Sequence, residues 1–234
     1  MKVAVMQPYF FPYLGYFQLA KAVDAFVFYD DVNFIKRGWI HRNRILINEQ
    51  PSYFTVPCKK VSQNKLIKDI EHGLDEKAVS KMLTSIQMAY AKAPFFEQVF
   101  PLVESVLRDS GSAISDIASQ SVIQTCNYLG MTSPVFMNSS EKFQNQELDR
   151  ADRLIDITKK LDSLVYINMI GGKELYTKEY FEKQGIELQF LKPTLSEYPQ
   201  GLDEFIPGLS ILDVLMFNSQ AKVLDYLTQY EVDG

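Results

Sequence analysis

The stretch YDDVNFIKRGWIHRNRI, residues 29–45, concentrates most of the chemistry-bearing side chains of this chain. Two carboxylates, Asp30 and Asp31, are followed by Lys36, Arg37, His41, Arg42 and Arg44, five basic groups gathered around Trp39, the only tryptophan. Guanidinium and ammonium groups are the usual partners of phosphate, and a neighbouring indole stacks on a flat ring. Asn43, between two arginines, adds a polar contact. The expected ligand group is a phosphate; the competing reading is a solvated basic loop paired with Asp30 and Asp31. For proton transfer the candidates are His41, kept neutral near pH 7 by its arginine neighbours, and Asp30 or Asp31. Either would serve as a general base.

A second set of residues opens the chain: MKVAVMQPYFFPYLGYFQL. A strand-like run ends in Gln7, and a stiff aromatic crossing follows where a short polar turn is usual. Gln7 offers a donor and an acceptor. Tyr9, Phe10 and Phe11 are candidates to wall a base or sugar ring, against the alternative that they fill the core, and Gly15 is a candidate for close ligand approach. Further along, YINMIGGKELYTKEYF places Gly171 and Gly172 between a strand and a helix, a setting in which backbone N–H groups can meet an anion; a plain tight turn is equally open. In FMNSSEKF, Ser139 and Ser140 read as ligand contacts or as a helix cap. Cys58 invites a thiol-relay hypothesis but has no visible basic partner.

These groups need a scaffold. Apolar runs at 3–6, 25–30, 53–58, 134–138, 164–169 and 186–191 alternate with helical periodicity, and they are near-continuous rather than alternating. That pattern predicts an α/β fold with a mostly parallel open sheet in Rossmann-like layering, which places the residues after each strand at the carboxyl edge where ligands sit. Between about Leu74 and Leu129 only helical pattern occurs. The expected organisation is an N-terminal α/β half (1–73), a helical insertion (74–130) and a C-terminal α/β half (131–234) in one compact body.

Composition bounds the function. The 234 residues carry a net charge of −5, which argues against a general binder of DNA or anionic membranes, so any anion must meet a local basic patch. There is no run long enough to insert in a membrane and no signal-peptide pattern, so the expected location is cytoplasmic. Two cysteines and two histidines suggest neither a disulfide framework nor a metal centre. Without a full glycine fingerprint or a Walker signature, no cofactor is expected.

Taken together, MQPYFFPYLGYFQLAKAVDAFVFYDDVNFIKRGWIHRNRI, FTVPC, and LDRADRLIDITKKL with YINMIGGKELYTKEYFEKQGIELQFLKP and FIPGLSILDVLMFNS resemble the WbqC-like protein family along nearly the whole chain, least in the helical middle. The resemblance implies a role in building bacterial surface polysaccharide such as the O-antigen of lipopolysaccharide. It implies a transferase that attaches an acyl or aminoacyl group, glycine being the suggestion, to the amine of a nucleotide-linked amino sugar. The acyl donor stays open between aminoacyl-tRNA, a carrier protein and a thioester. An adenylate-forming or nucleotidyltransferase-like enzyme, and a non-catalytic binding module of the same pathway, stand as alternatives.

Overall fold

The computed structural model describes residues 1–109 and 111–233. Strands β1 (Lys2–Met6), β2 (Ala25–Phe28), β5 (Val135–Asn138), β6 (Val165–Met169), β7 (Glu187–Pro193) and β8 (Tyr230–Asp233) form one sheet in the order β5-β2-β1-β6-β7-β8. All neighbours run parallel except β8, which closes the β7 edge antiparallel. The fold class is therefore α/β with a mostly parallel sheet. From β1 the chain builds outward through β2 and β5, then returns across β1 to β6, so the connections change direction between β1 and β6. In open sheets of this type, ligands bind at the carboxyl edge beside such a switch.

The strands read as continuous apolar runs because both faces are covered. On one face Ala4, Phe26, Phe28, Ile167 and Leu191 pack with helices α1 (Leu14–Ala22), α2 (Glu76–Tyr90), α3 (Phe96–Asp109), α4 (Ile114–Tyr128), α8 (Ile211–Phe217) and α9 (Gln220–Tyr226). On the other, Val3, Val5, Ala25, Val27, Tyr166, Leu188 and Phe190 meet α6 (Arg150–Lys160) and α7 (Lys178–Lys183), with the one-turn α5 (Ser139–Lys142) at the end of β5. The helical middle is thus part of the larger core. Asp75 starts α2 by accepting the Ala78 N–H at 2.7 Å, and Val79, Met82, Leu83, Ile86 and Tyr90 recur at helical spacing to form its buried stripe.

Two elements depart from the expectation. The run at 53–58 does not join the main sheet: β4 (Gln50–Thr55) pairs antiparallel with β3 (Arg42–Ile47) in a separate hairpin. Its two turn residues, Asn48 and Glu49, have φ of 50° and 63°, the conformation a two-residue hairpin turn requires. The stretch read as a basic loop is therefore half strand.

The aromatic crossing between β1 and α1 is fixed by its backbone. Phe11 sits at φ 38°, strained for a bulky side chain. Its N–H donates to Ser121 Oγ at 2.8 Å, and its carbonyl accepts from Asn43 Nδ2 at 2.8 Å and Ser210 Oγ at 2.7 Å. The Phe10 N–H donates to the Trp39 carbonyl and the Ile211 N–H to the Pro12 carbonyl. A strand of the hairpin, α4 and the start of α8 thus meet on one peptide.

Gly15 is buried in α1, and the space it leaves is filled by protein, which corrects its reading as a place for ligand approach. A Cβ there would lie 2.5 Å from the Tyr13 ring and 2.9 Å from Pro193 Cβ. Glycine to alanine inside a helix ordinarily gains about 1 kcal/mol, but overpacking of this severity costs about 1–3 kcal/mol. Gly15→Ala is expected to lower the stability measured by urea unfolding; a more stable variant would mean that the Tyr13 ring swings clear.

Candidate functional site

Beneath this crossing lies a cleft of about 220 Å³ lined by Tyr9, Pro12, Tyr13, Trp39, Asn43, Leu195 and Gly208. Its walls come from the loop after β1, the start of the hairpin and the segment that follows β7. Burial pushes the Tyr13 phenol up to about 12, with a smaller contribution from Tyr9, and burial also raises Tyr9. Both hydroxyls stay protonated at neutral pH and can serve as hydrogen-bond donors. At the rim, Arg44 gives one hydrogen bond to the Gly208 carbonyl at 3.2 Å and lies 5.9 Å from the centre of the Trp39 ring. Its Nε is buried with no hydrogen-bond partner among the described residues. A buried donor left unmade is costly, so this guanidinium is poised for an acceptor.

The sequence candidates divide around this cleft. Tyr9, Trp39 and Asn43 line it and Arg44 borders it. Gln7 does not line it, and its carbonyl accepts from the Tyr16 hydroxyl at 2.9 Å. Phe10 cannot wall a ligand: it is 0 % exposed and stacks on Phe54 with ring centres 5.4 Å apart; Phe11 is likewise fully buried. Asn43 also serves the scaffold, since Nδ2 donates to the Phe10 and Phe11 carbonyls and Oδ1 accepts the Arg44 N–H. Lys36 and Arg37 are exposed. Arg42 holds the carbonyl of Arg37 at 2.7 Å and lies 4.2 Å from the centre of the Tyr53 ring, on the outer face of the hairpin.

Asp30, Asp31, Ser139 and Ser140 do meet, but in an internal network. Asp30 accepts the Ser140 N–H at 3.0 Å and its hydroxyl at 2.7 Å. Asp31 accepts from the Ser139 hydroxyl at 2.5 Å, from Gln146 Nε2 at 2.8 Å and from Arg153 Nη2 at 2.8 Å. Both carboxylates are buried, and the Arg153–Asp31 ion pair ties α6 to the end of β2. Carboxylates holding this many donors are structural acceptors, which corrects the expectation that either serves as a general base. Gly171 and Gly172 fall in a single 3₁₀ turn, Ile170–Glu174; a Cβ on Gly172 would collide with Asn168 Nδ2, so that glycine makes room for protein. Cys58 is pushed up to about 12 by burial, which leaves the thiol unreactive near neutrality.

His41 packs against Phe34 with ring centres 5.3 Å apart, and its Nδ1 is buried without a hydrogen-bond partner among the described residues. Burial lowers its pKa, and Arg42 lowers it further, so the ring is neutral at pH 7. Sequence reasoning missed Pro12, Tyr13, Leu195 and Gly208. Tyr13 carried a signal as the last aromatic of the crossing, whereas Leu195 and Gly208 come from a segment with no pattern of its own.

Removing the Asp31 carboxylate leaves the Arg153 guanidinium buried and unpaired, a defect of about 3–5 kcal/mol. Asp31→Ala is therefore expected to unfold at much lower urea concentration than the parent. A variant as stable as the parent would return Asp31 to the list of proton acceptors.

Among the described residues no helix is long and apolar enough to cross a membrane. No solved structure matches the chain. An uncharacterized protein, Rv1507c, of Mycobacterium tuberculosis is 26% identical over 230 residues, covering 97% of each chain. The model of the WbqC-like protein family matches residues 7–224, from the first residue of the aromatic crossing to α9, and the chain belongs to that family.

Proposed function

We propose that the protein is a transferase that attaches an acyl or aminoacyl group, glycyl being the suggested case, to the amine of a nucleotide-linked amino sugar in bacterial surface-polysaccharide synthesis. The observation that carries this reading is the pairing of an aromatic-walled cleft with the unspent guanidinium of Arg44 at its rim. A volume of about 220 Å³ is below the roughly 300–1,000 Å³ of pockets that enclose a whole drug-sized ligand. It suits one ring, with the diphosphate lying over the rim where Arg44 can contact it bidentately. The phenols of Tyr9 and Tyr13 then donate to ring oxygens.

In the reaction the neutral sugar amine attacks the acyl carbon. A C–N bond forms, the bond from that carbon to the donor's oxygen or sulfur breaks, and the proton lost by the amine passes to the leaving group. His41 is proposed to relay that proton, because Asp30 and Asp31 are engaged elsewhere. A histidine with a lowered pKa holds its base form down to more acidic pH, so the acid limb of the pH–rate profile should fall below the usual value of about 6.5. His41→Gln should abolish that limb, and a profile unaltered by the substitution would remove His41 from the mechanism.

Calorimetric titration with nucleotide-linked amino sugars tests the site itself. Arg44→Lys keeps the charge but loses the planar fork, and it is expected to weaken binding by about 1–3 kcal/mol. The free protein should lose only about 1 kcal/mol of stability with the bond to Gly208. Unchanged affinity would place the ligand elsewhere.

A further inference from the structure

Positive charge is segregated in this chain. Residues 34–68 contain eight lysines and arginines against one acidic residue, Glu49, a balance of +7; with a total of −5, the remainder carries −12. The hairpin lies in this segment, and residues 65–67 run alongside 32–34, joined by the Phe34 N–H to Lys65 carbonyl and Ile67 N–H to Val32 carbonyl bonds. On its outer face two aromatic rings stand in solvent. Trp39 is 37 % exposed and Tyr53 is 55 % exposed, with ring centres 6.5 Å apart. Arg42 lies over Tyr53, and Lys36, Arg37 and Lys65 are exposed with no ion pair among the described residues. Trp39 also lines the cleft, so this surface leads directly into it.

We propose that this face binds single-stranded RNA and that the acyl donor is an aminoacyl ester on the 3′ end of an RNA. The proposal rests on the transferase reading above and names its donor. Exposed aromatic platforms between cationic side chains are what unpaired nucleotides need, because any base stacks on them while lysine and arginine follow the phosphates. An acidic protein partner would meet the same charge and pack on the same rings, and the transfer arm of the test below separates it from RNA. A strand stacked on Tyr53 and then Trp39 delivers its 3′ end to the mouth of the cleft. There the sugar amine attacks the ester carbonyl, the amide C–N bond forms, the ester C–O bond breaks, and the ribose oxygen leaves with the proton that the amine gives up.

Trp39, being the only tryptophan, reports its own occupancy. Titration with a 12-nucleotide single-stranded RNA bearing a free 3′ hydroxyl is expected to quench its fluorescence. The log–log salt slope should be about −3, as for four or five neutralised phosphates. Tyr53→Ala, on an exposed position, should weaken binding about tenfold or more, and Lys36→Gln should make the slope shallower by about 0.7. Transfer from a 3′-aminoacylated RNA to a nucleotide-linked amino sugar completes the test. Equal quenching by inorganic polyphosphate or by blunt duplex RNA would overturn the proposal, since charge alone would then explain the surface. Transfer from an acidic carrier protein with no quenching by RNA would also overturn it. Calorimetry on the parent protein separates the two readings: quenching by RNA without any nucleotide-sugar binding sinks the acceptor assignment, whereas nucleotide-sugar binding without RNA quenching sinks only the donor.

Discussion

The fold turns on one strained peptide. Phe11 occupies a left-handed conformation that costs a bulky residue about 1–3 kcal/mol, and it persists because its N–H and its carbonyl are both claimed by buried side chains. Ser121, Asn43 and Ser210 come from α4, β3 and the cap of α8, three parts of the chain well separated in sequence. A single residue in an unfavourable geometry is therefore the meeting point of the helical middle, the hairpin and the C-terminal helices. The prolines on either side, Pro8 and Pro12, restrict the crossing further and reduce what it loses in entropy on folding.

The cleft is a product of that arrangement. Once Phe10 and Phe11 are directed inward, Tyr9 and Tyr13 remain at the surface of the crossing, and the start of the hairpin supplies Trp39 opposite them. The two polar regions at the carboxyl edge then differ in kind. Around Asp30 and Asp31, the donors and acceptors meet one another and nothing is left over for a ligand. Around Arg44, Tyr9 and Tyr13, the polar atoms have few internal partners. Only one of the two sites that looked chemically rich has capacity to spare.

Much of the framework was legible because it depends on local pattern. Continuous β-branched and aromatic runs marked most of the main-sheet strands, and the stripe of α2 marked the helical middle. The hairpin was obscured because Arg42 and Arg44 occupy the outward positions of β3, so a strand half-exposed to water reads as a charged loop. β8, with the sequence YEVD, is short and mostly exposed and has no apolar run to signal it. The roles of the carboxylates were illegible for a different reason. Asp31 looks like a general base until Arg153, 122 positions later, is seen to hold it. Tyr9 and Phe10 are neighbours of similar chemistry, and only the direction of the backbone at Phe11 separates a cleft wall from a core residue.

Strand order also sets a schedule for the chain as it leaves the ribosome. β1 pairs on one side with β2, through Val3 and Ala25, but its other side waits for β6, through Val3 and Tyr166. At synthesis rates of about 5–20 residues per second, that second edge stays open for on the order of ten seconds. An unpaired apolar edge is a template for other chains. The lysines and arginines of residues 34–68 emerge within that interval, so each nascent molecule carries a net positive segment while its central strand is still exposed.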